Sequence, residues 1–239
     1  MQLINMTTSN QPAAATFTQL RYEELVAQRK ACRACESCGL VNPSVCQNGV
    51  YDAAEIGPYT RWYGDLNAEL MIVGQDWGGT KGFIENQGWS GFSITSKRLR
   101  DLLGSIGWHF ELTQQSHPHS NLFLTNAALC LRAVFDTGPA DPRWFTNCSV
   151  FLRAQVELVK PKVIVALGLK SYHALMQAFG LRPKAKMQDA VNDVTVLPDG
   201  SVLIPMYHPG YWGTRSRSFE EQKKDWQRVK LALHNGRLQ

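Results

Sequence analysis

Apolar positions along this chain fall into two alternating patterns. Short apolar runs at residues 69–73, 122–125 and 162–166 read as strands, and residues 96–106, 144–159 and 171–179 repeat apolar positions at helical spacing. This alternation predicts a parallel sheet covered by helices, an α/β fold with three α/β/α layers around a central, mainly parallel four-stranded sheet. Asp141 is suited to cap the 144–159 helix, Pro142 fits its first turn, and Pro161 marks its end. Residues 194–197 and 202–205 are expected to pair through Pro198-Asp199-Gly200, and a basic helix over 219–235 closes the chain. At the other end, residues 1–16 are rich in Thr, Asn, Gln and Ala without periodicity and read as a flexible lead. A helix over 17–29 and an irregular cysteine-rich stretch to about residue 67 open the single domain expected over 17–239.

Polar residues interrupt this pattern at telling places. In an open parallel sheet, loops at the carboxyl ends of the strands line the ligand crevice. Gly74-Gln75-Asp76, Asn126, Gly168 and His208-Pro209 all stand at such ends. Each alone has an ordinary explanation, since strand-end Asp and Asn cap turns and a lone His is commonly just hydrogen-bonded. An Asp, an Asn and a His meeting on one rim would make a site.

Composition narrows the class. With 239 residues, 44% apolar and 19% charged, the chain can bury roughly 70–75% of its unfolded surface and needs no disulfides to fold. No apolar run reaches membrane-spanning length and no export signal opens the chain, so no membrane partner and a cytoplasmic location are expected. The six cysteines then call for another role. Their spacing, Cys32-x2-Cys35-x2-Cys38-x7-Cys46 followed by Cys130 and Cys148, reads as metal or cluster ligation, for which zinc and iron–sulfur both serve. The net charge of +5 is concentrated in residues 211–239, which hold seven of 25 Lys and Arg against three of 20 Asp and Glu. A polyanion touching that end fits, as does a solvated basic helix.

Several segments together resemble the uracil-DNA glycosylase superfamily, especially its iron–sulfur branch, family 4. They are NAELMIVGQDWGG, GFSITSKRLRDLLGSIGW, LFLTNAALCLR, CSVFLRAQVELVKPKVIVALG and IPMYHPGYW, in matching order from about Cys32 to Gly213. The resemblance implies a monofunctional DNA glycosylase that hydrolyses the N-glycosidic bond of uracil, or a related deaminated base, in single- or double-stranded DNA. It casts Asp76 as the water-positioning carboxylate and His208 as donor to O2 of the leaving base. Asn126 would pair with the uracil edge, Phe92 would stack on the base, and Gly74 and Gln75 would contact base or phosphate. It also implies a 4Fe-4S cluster, with zinc as the alternative, held by Cys35, Cys38, Cys130 and Cys148, or with Cys32 as an alternate ligand. Arg215 and Arg217, with Lys223 and Lys224, would meet the DNA backbone, and a monomer is expected.

The departures matter as much. Trp77 and Gly78 stand where the GQDPYH pattern has the proline and tyrosine that exclude thymine's methyl group, and Tyr211-Trp212 replaces a leucine wedge. Cys46 and residues 48–62 match nothing in the family. A catalytically inactive iron–sulfur protein that binds nucleic acid, or an enzyme acting on another base, would share these features.

Overall fold

The computed structural model describes residues 16–89, 91, 93–133 and 138–235. In chain order its elements are α1 (Phe17–Ala31), β1 (Leu40–Val41), β2 (Leu70–Gly74), α2 (Thr80–Glu85), α3 (Ile94–Ser105), β3 (Leu122–Asn126), β4 (Leu131–Arg132), α4 (Pro142–Val159), β5 (Val163–Leu167), α5 (Leu169–Ala178), α6 (Met187–Ala190), β6 (Thr195–Val196), β7 (Val202–Met206), α7 (Tyr211–Ser216) and α8 (Phe219–Asn235). The main sheet has the order β3-β2-β5-β7-β6. β3, β2, β5 and β7 run parallel, as the apolar runs predict, and β6 adds a fifth, antiparallel edge strand to the four expected.

Buried strands separate their side chains by face with a period of two. Met71 and Val73 of β2 join the core beneath α1, α4 and α5, whereas Leu70 and Ile72 join the core beneath α3 and α8. Helix α4 shows how the first layer is held. Asp141 accepts a hydrogen bond from the Arg143 amide at 2.8 Å, so it is the N-cap that its place before Pro142 predicts. The helix buries Phe145, Cys148, Leu152, Val156 and Val159 along one stripe, and each large apolar side chain so buried contributes about 1.5–3 kcal/mol. Lys160, in the left-handed region at φ 51°, ends it one residue before Pro161.

Two expectations change at the amino end. Thr16 belongs to the fold, because its side chain accepts from the Gln19 amide at 3.2 Å and caps α1; residues 1–15 of the expected lead lie outside the described residues. The cysteine-rich stretch also contains regular pieces. β1 pairs antiparallel with β4, Leu40 opposite Arg132 and Val41 opposite Leu131, which ties that stretch to the chain after β3. Among the described residues no helix is long and apolar enough to cross a membrane.

Residues 52–55 are fastened by Arg29 of α1, which is only 1% exposed. Its Nη1 meets Asp52 Oδ1 at 2.7 Å, and its Nη2 donates to the Glu55 carbonyl at 2.8 Å. Removing one partner of a buried pair strands the other charge. Arg29→Met is therefore expected to cost about 3–5 kcal/mol in urea unfolding. Lys81→Met, which breaks a surface pair with Glu85, should cost no more than about 1 kcal/mol.

Candidate active site

The parallel register of β2 and β3 sets Gly74 directly opposite Asn126. A Cβ on residue 74 would lie 2.4 Å from Asn126 Oδ1, so only glycine lets the carboxamide lie across the strand end. Pairing continues beyond the strands: Ala127 N–H donates to Gly74 O at 2.8 Å, Ala128 to Gln75 O at 2.9 Å and Arg132 to Gly78 O at 2.8 Å. Asp76, Asn126 and His208 consequently face one pocket, together with Gly74 and Gln75. Phe92, the residue expected to stack there, lies outside the described residues.

The three polar side chains differ in how they are held. His208 Nδ1 accepts a hydrogen bond from the Gly210 amide at 3.0 Å, which leaves the proton of the neutral ring on Nε2. Burial holds its pKa below the ordinary imidazole value, and the nearby Asp76 carboxylate opposes that shift only in part. The turn is packed close against the ring: a Cβ at Gly210 would lie 2.8 Å from His208 Nδ1. Arg98 of α3 braces the same turn by donating to the Pro209 carbonyl at 3.2 Å.

Asp76 is anchored through one oxygen. Its Oδ2 accepts from Gln75 Nε2 at 2.7 Å and from Arg132 Nε and Nη2 at 3.2 and 2.9 Å. Its Oδ1 takes no hydrogen bond among the described residues. Asn126 is 5% exposed, and its carboxamide, which lines the pocket, is likewise unpaired among them. Both a donor and an acceptor are therefore free to meet a ligand there.

The sequence profile of the Uracil DNA glycosylase superfamily matches residues 61–230. The chain belongs to that superfamily. It is 25% identical over 173 residues to the type-4 uracil-DNA glycosylase of Archaeoglobus fulgidus, covering 72% of this chain and 80% of that one. It is 27% identical over 156 residues to the type-5 uracil-DNA glycosylase of Pyrobaculum aerophilum, covering 64% and 65%.

Two residues beside the site have no role in the motif reading. Tyr59, from the unmatched 48–62 stretch, lines the pocket beside Asp76 and packs against Trp77 with ring centroids 4.5 Å apart. Arg132, the last residue of LFLTNAALCLR and two beyond Cys130, grips Asp76. Neither carries a periodicity or spacing signal.

The cysteines fall into two groups. Cys35, Cys130 and Cys148 are buried in one core, with Cys32 and Cys38 packed at its margin. The Cys35 thiol shares a hydrogen bond with Cys148, which with burial pushes its pKa well up, and it accepts from Asn147 Nδ2 at 3.4 Å. Burial, then the charges of Cys35 and Cys32, push the Cys130 pKa up to about 12. Crowded, buried thiols of this kind resist ionising unless a cationic centre shares them. Among the described residues no three His, Cys, Asp or Glu side chains are arranged to hold a metal ion. Cys46 stands apart, buried with Phe83 and Leu131.

The rim of the pocket is formed by α7 and the start of α5. Tyr211 and Trp212 are 58% and 77% exposed there, beside Lys170. Arg215 is exposed and donates to the Tyr211 hydroxyl at 3.2 Å. Arg217, by contrast, forks onto Asp225 at 2.8 Å and approaches Glu221 at 3.6 Å, and Lys223 meets Glu220 at 2.9 Å.

The lowered pKa of His208 couples to stability. The folded protein binds fewer protons than the unfolded chain between the two pKa values, so this contribution is complete above about pH 6.5 and is lost as pH falls through the folded-state value. The urea midpoint of the wild type should therefore drop between about pH 7.5 and about pH 5.5, and His208→Gln should reduce that drop. An equal drop in both proteins would count against a neutral, buried His208.

Proposed function

We propose that the protein excises uracil from DNA by hydrolysing its N-glycosidic bond and leaving an abasic site. The observation that carries this reading is the convergence, in one pocket, of three unsatisfied groups: His208 Nε2–H, Asp76 Oδ1 and the Asn126 carboxamide. Each meets one demand of the reaction. As the C1′–N1 bond breaks, its electron pair leaves with the base, and a neutral imidazole donating from Nε2 stabilises the charge developing at O2. Asp76 Oδ1 orients the water that adds to C1′ and accepts its proton, while the carboxylate favours the cationic sugar. Asn126, offering both a donor and an acceptor, pairs with O4 and N3–H of uracil and disfavours cytosine. Tyr59, which lines the pocket and packs on Trp77, is the residue we assign to keep out a thymine methyl group.

The rim supports a nucleic-acid substrate over a free nucleoside. Lys170 and Arg215 supply phosphate contacts, whereas the ion pairs of Arg217 and Lys223 reduce what those two side chains add. Trp212, exposed beside the pocket mouth, is the aromatic suited to stack where a base has been flipped out.

The all-thiol corner suits a 4Fe-4S cluster, whose ligands are cysteine thiolates. We assign Cys35, Cys130 and Cys148 to it with Cys38, or with Cys32 in its place. Such a cluster would brace the amino-terminal stretch against α4 and the chain after β3.

Two experiments test these assignments. Purified protein is incubated with uracil-containing single-stranded and duplex oligonucleotides, and abasic sites are cleaved with alkali. Wild type should cleave, and Asp76→Asn and His208→Ala should each lose about 100-fold or more in rate. An inactive wild type that also spares other deaminated bases would establish the non-catalytic alternative. For the corner, the protein as isolated should be brown with iron and sulfide present, and Cys148→Ser should lose both. A colourless preparation with stoichiometric zinc would overturn the cluster.

A further inference from the structure

The GQD and HP segments account for Asp76 and His208, but nothing in them accounts for Arg132. This side chain is 14% exposed and places two N–H groups on a single oxygen of Asp76, whose own side chain is 7% exposed. We propose that Arg132 is a positioning residue for base excision: its fork captures Asp76 Oδ2 and so presents Oδ1 to the attacking water. The inference rests on the glycosylase reading given above.

The last torsion of a carboxylate is broad, so the plane swings and the free oxygen wanders unless the other is held. Gln75 alone supplies a single hydrogen bond to Oδ2, from a side chain next to it in sequence. Arg132 adds two from a rigid plane, and that plane is itself fixed on every side. Its Nη1 donates to the Gly138 carbonyl at 2.8 Å, and its guanidinium carbon lies 5.0 Å from the centroid of Trp144. Trp144 is 1% exposed, and its Nε1 donates to the Cys38 carbonyl at 2.7 Å. The Arg132 backbone is fixed too, through Gly78 on one side and its pairing with Leu40 on the other. The fork thus reaches Asp76 from the scaffold of the cysteine corner.

Charge alone predicts the opposite sign. A cation beside Asp76 offsets the negative field that favours a cationic sugar, so an arginine that acted only through its charge would slow the reaction. Its value must lie in geometry, where a misplacement of about 1 Å can cost on the order of 100-fold. Arg132 is absent from the residues lining the pocket, so its loss should leave substrate binding largely intact.

The test is steady-state kinetics on a uracil-containing single-stranded oligonucleotide for wild type, Arg132→Met, Arg132→Lys, Asp76→Asn and the double variant Asp76→Asn/Arg132→Met. Arg132→Met keeps an unbranched chain over Trp144 and should lose roughly 10- to 100-fold in kcat with KM within about twofold. Arg132→Lys keeps the charge without the fork and should still lose at least about fivefold in kcat. It also serves if the methionine variant fails to fold. The double variant should be no slower than Asp76→Asn alone, because the arginine acts through that carboxylate. Full kcat in the folded single variants, a loss expressed in KM, or additive losses in the double variant would overturn the proposal. Wild-type inactivity would instead bring down the glycosylase reading itself, so the two failures are distinguishable.

Discussion

The backbone ladder between β2 and β3 is the contact on which the rest of the site depends. Because it is parallel and in register at Gly74 and Asn126, both strands stop at the same height, and it then continues as loop pairing through Ala127, Ala128 and Arg132. Hydrogen bonds between main-chain groups therefore decide where Asp76, Asn126 and Arg132 stand, before any side chain contributes. The same run of chain carries Cys130 into the core with Cys35 and Cys148. Active site and cysteine corner are two faces of one loop.

The parts of the fold that repeat were legible in the sequence, and the parts that do not were hidden. Strands buried on both faces read as unbroken apolar runs, and α4 announced itself through Asp141, Pro142 and a regular stripe. A two-residue strand has no period. β1 and β4 exist because each finds the other across about ninety residues of intervening chain, which no local pattern records. The site divides the same way. Asp76, Asn126 and His208 were visible because each follows an apolar run, and strand ends are where open sheets bind. Tyr59 reaches the pocket from irregular chain, and Arg132 reaches Asp76 from a two-residue strand; both are placed by distant partners, Arg29 among them through residues 52–55.

The charge count shows a different limit, since a sum over residues does not record which of them are paired. Seven basic residues near the carboxyl end suggested a phosphate-binding face. In the fold, Arg217 is spent on Asp225 and Glu221, Lys223 on Glu220, and Arg228 donates to the Val191 carbonyl. Several of the seven are thus engaged internally; Arg215 stays exposed on α7, and Lys170, at the pocket mouth, comes from α5.

Tyr59 stands on a segment tied down twice. Arg29 of α1 holds residues 52–55, and Thr60, next to Tyr59, donates to the Leu124 carbonyl of β3 at 3.1 Å. The wall of the pocket therefore hangs from the same strand that ends in Asn126. A change in the length of residues 48–62 is felt in β3 as well as at Tyr59, so the shape of the pocket and the placement of its polar groups are mechanically linked.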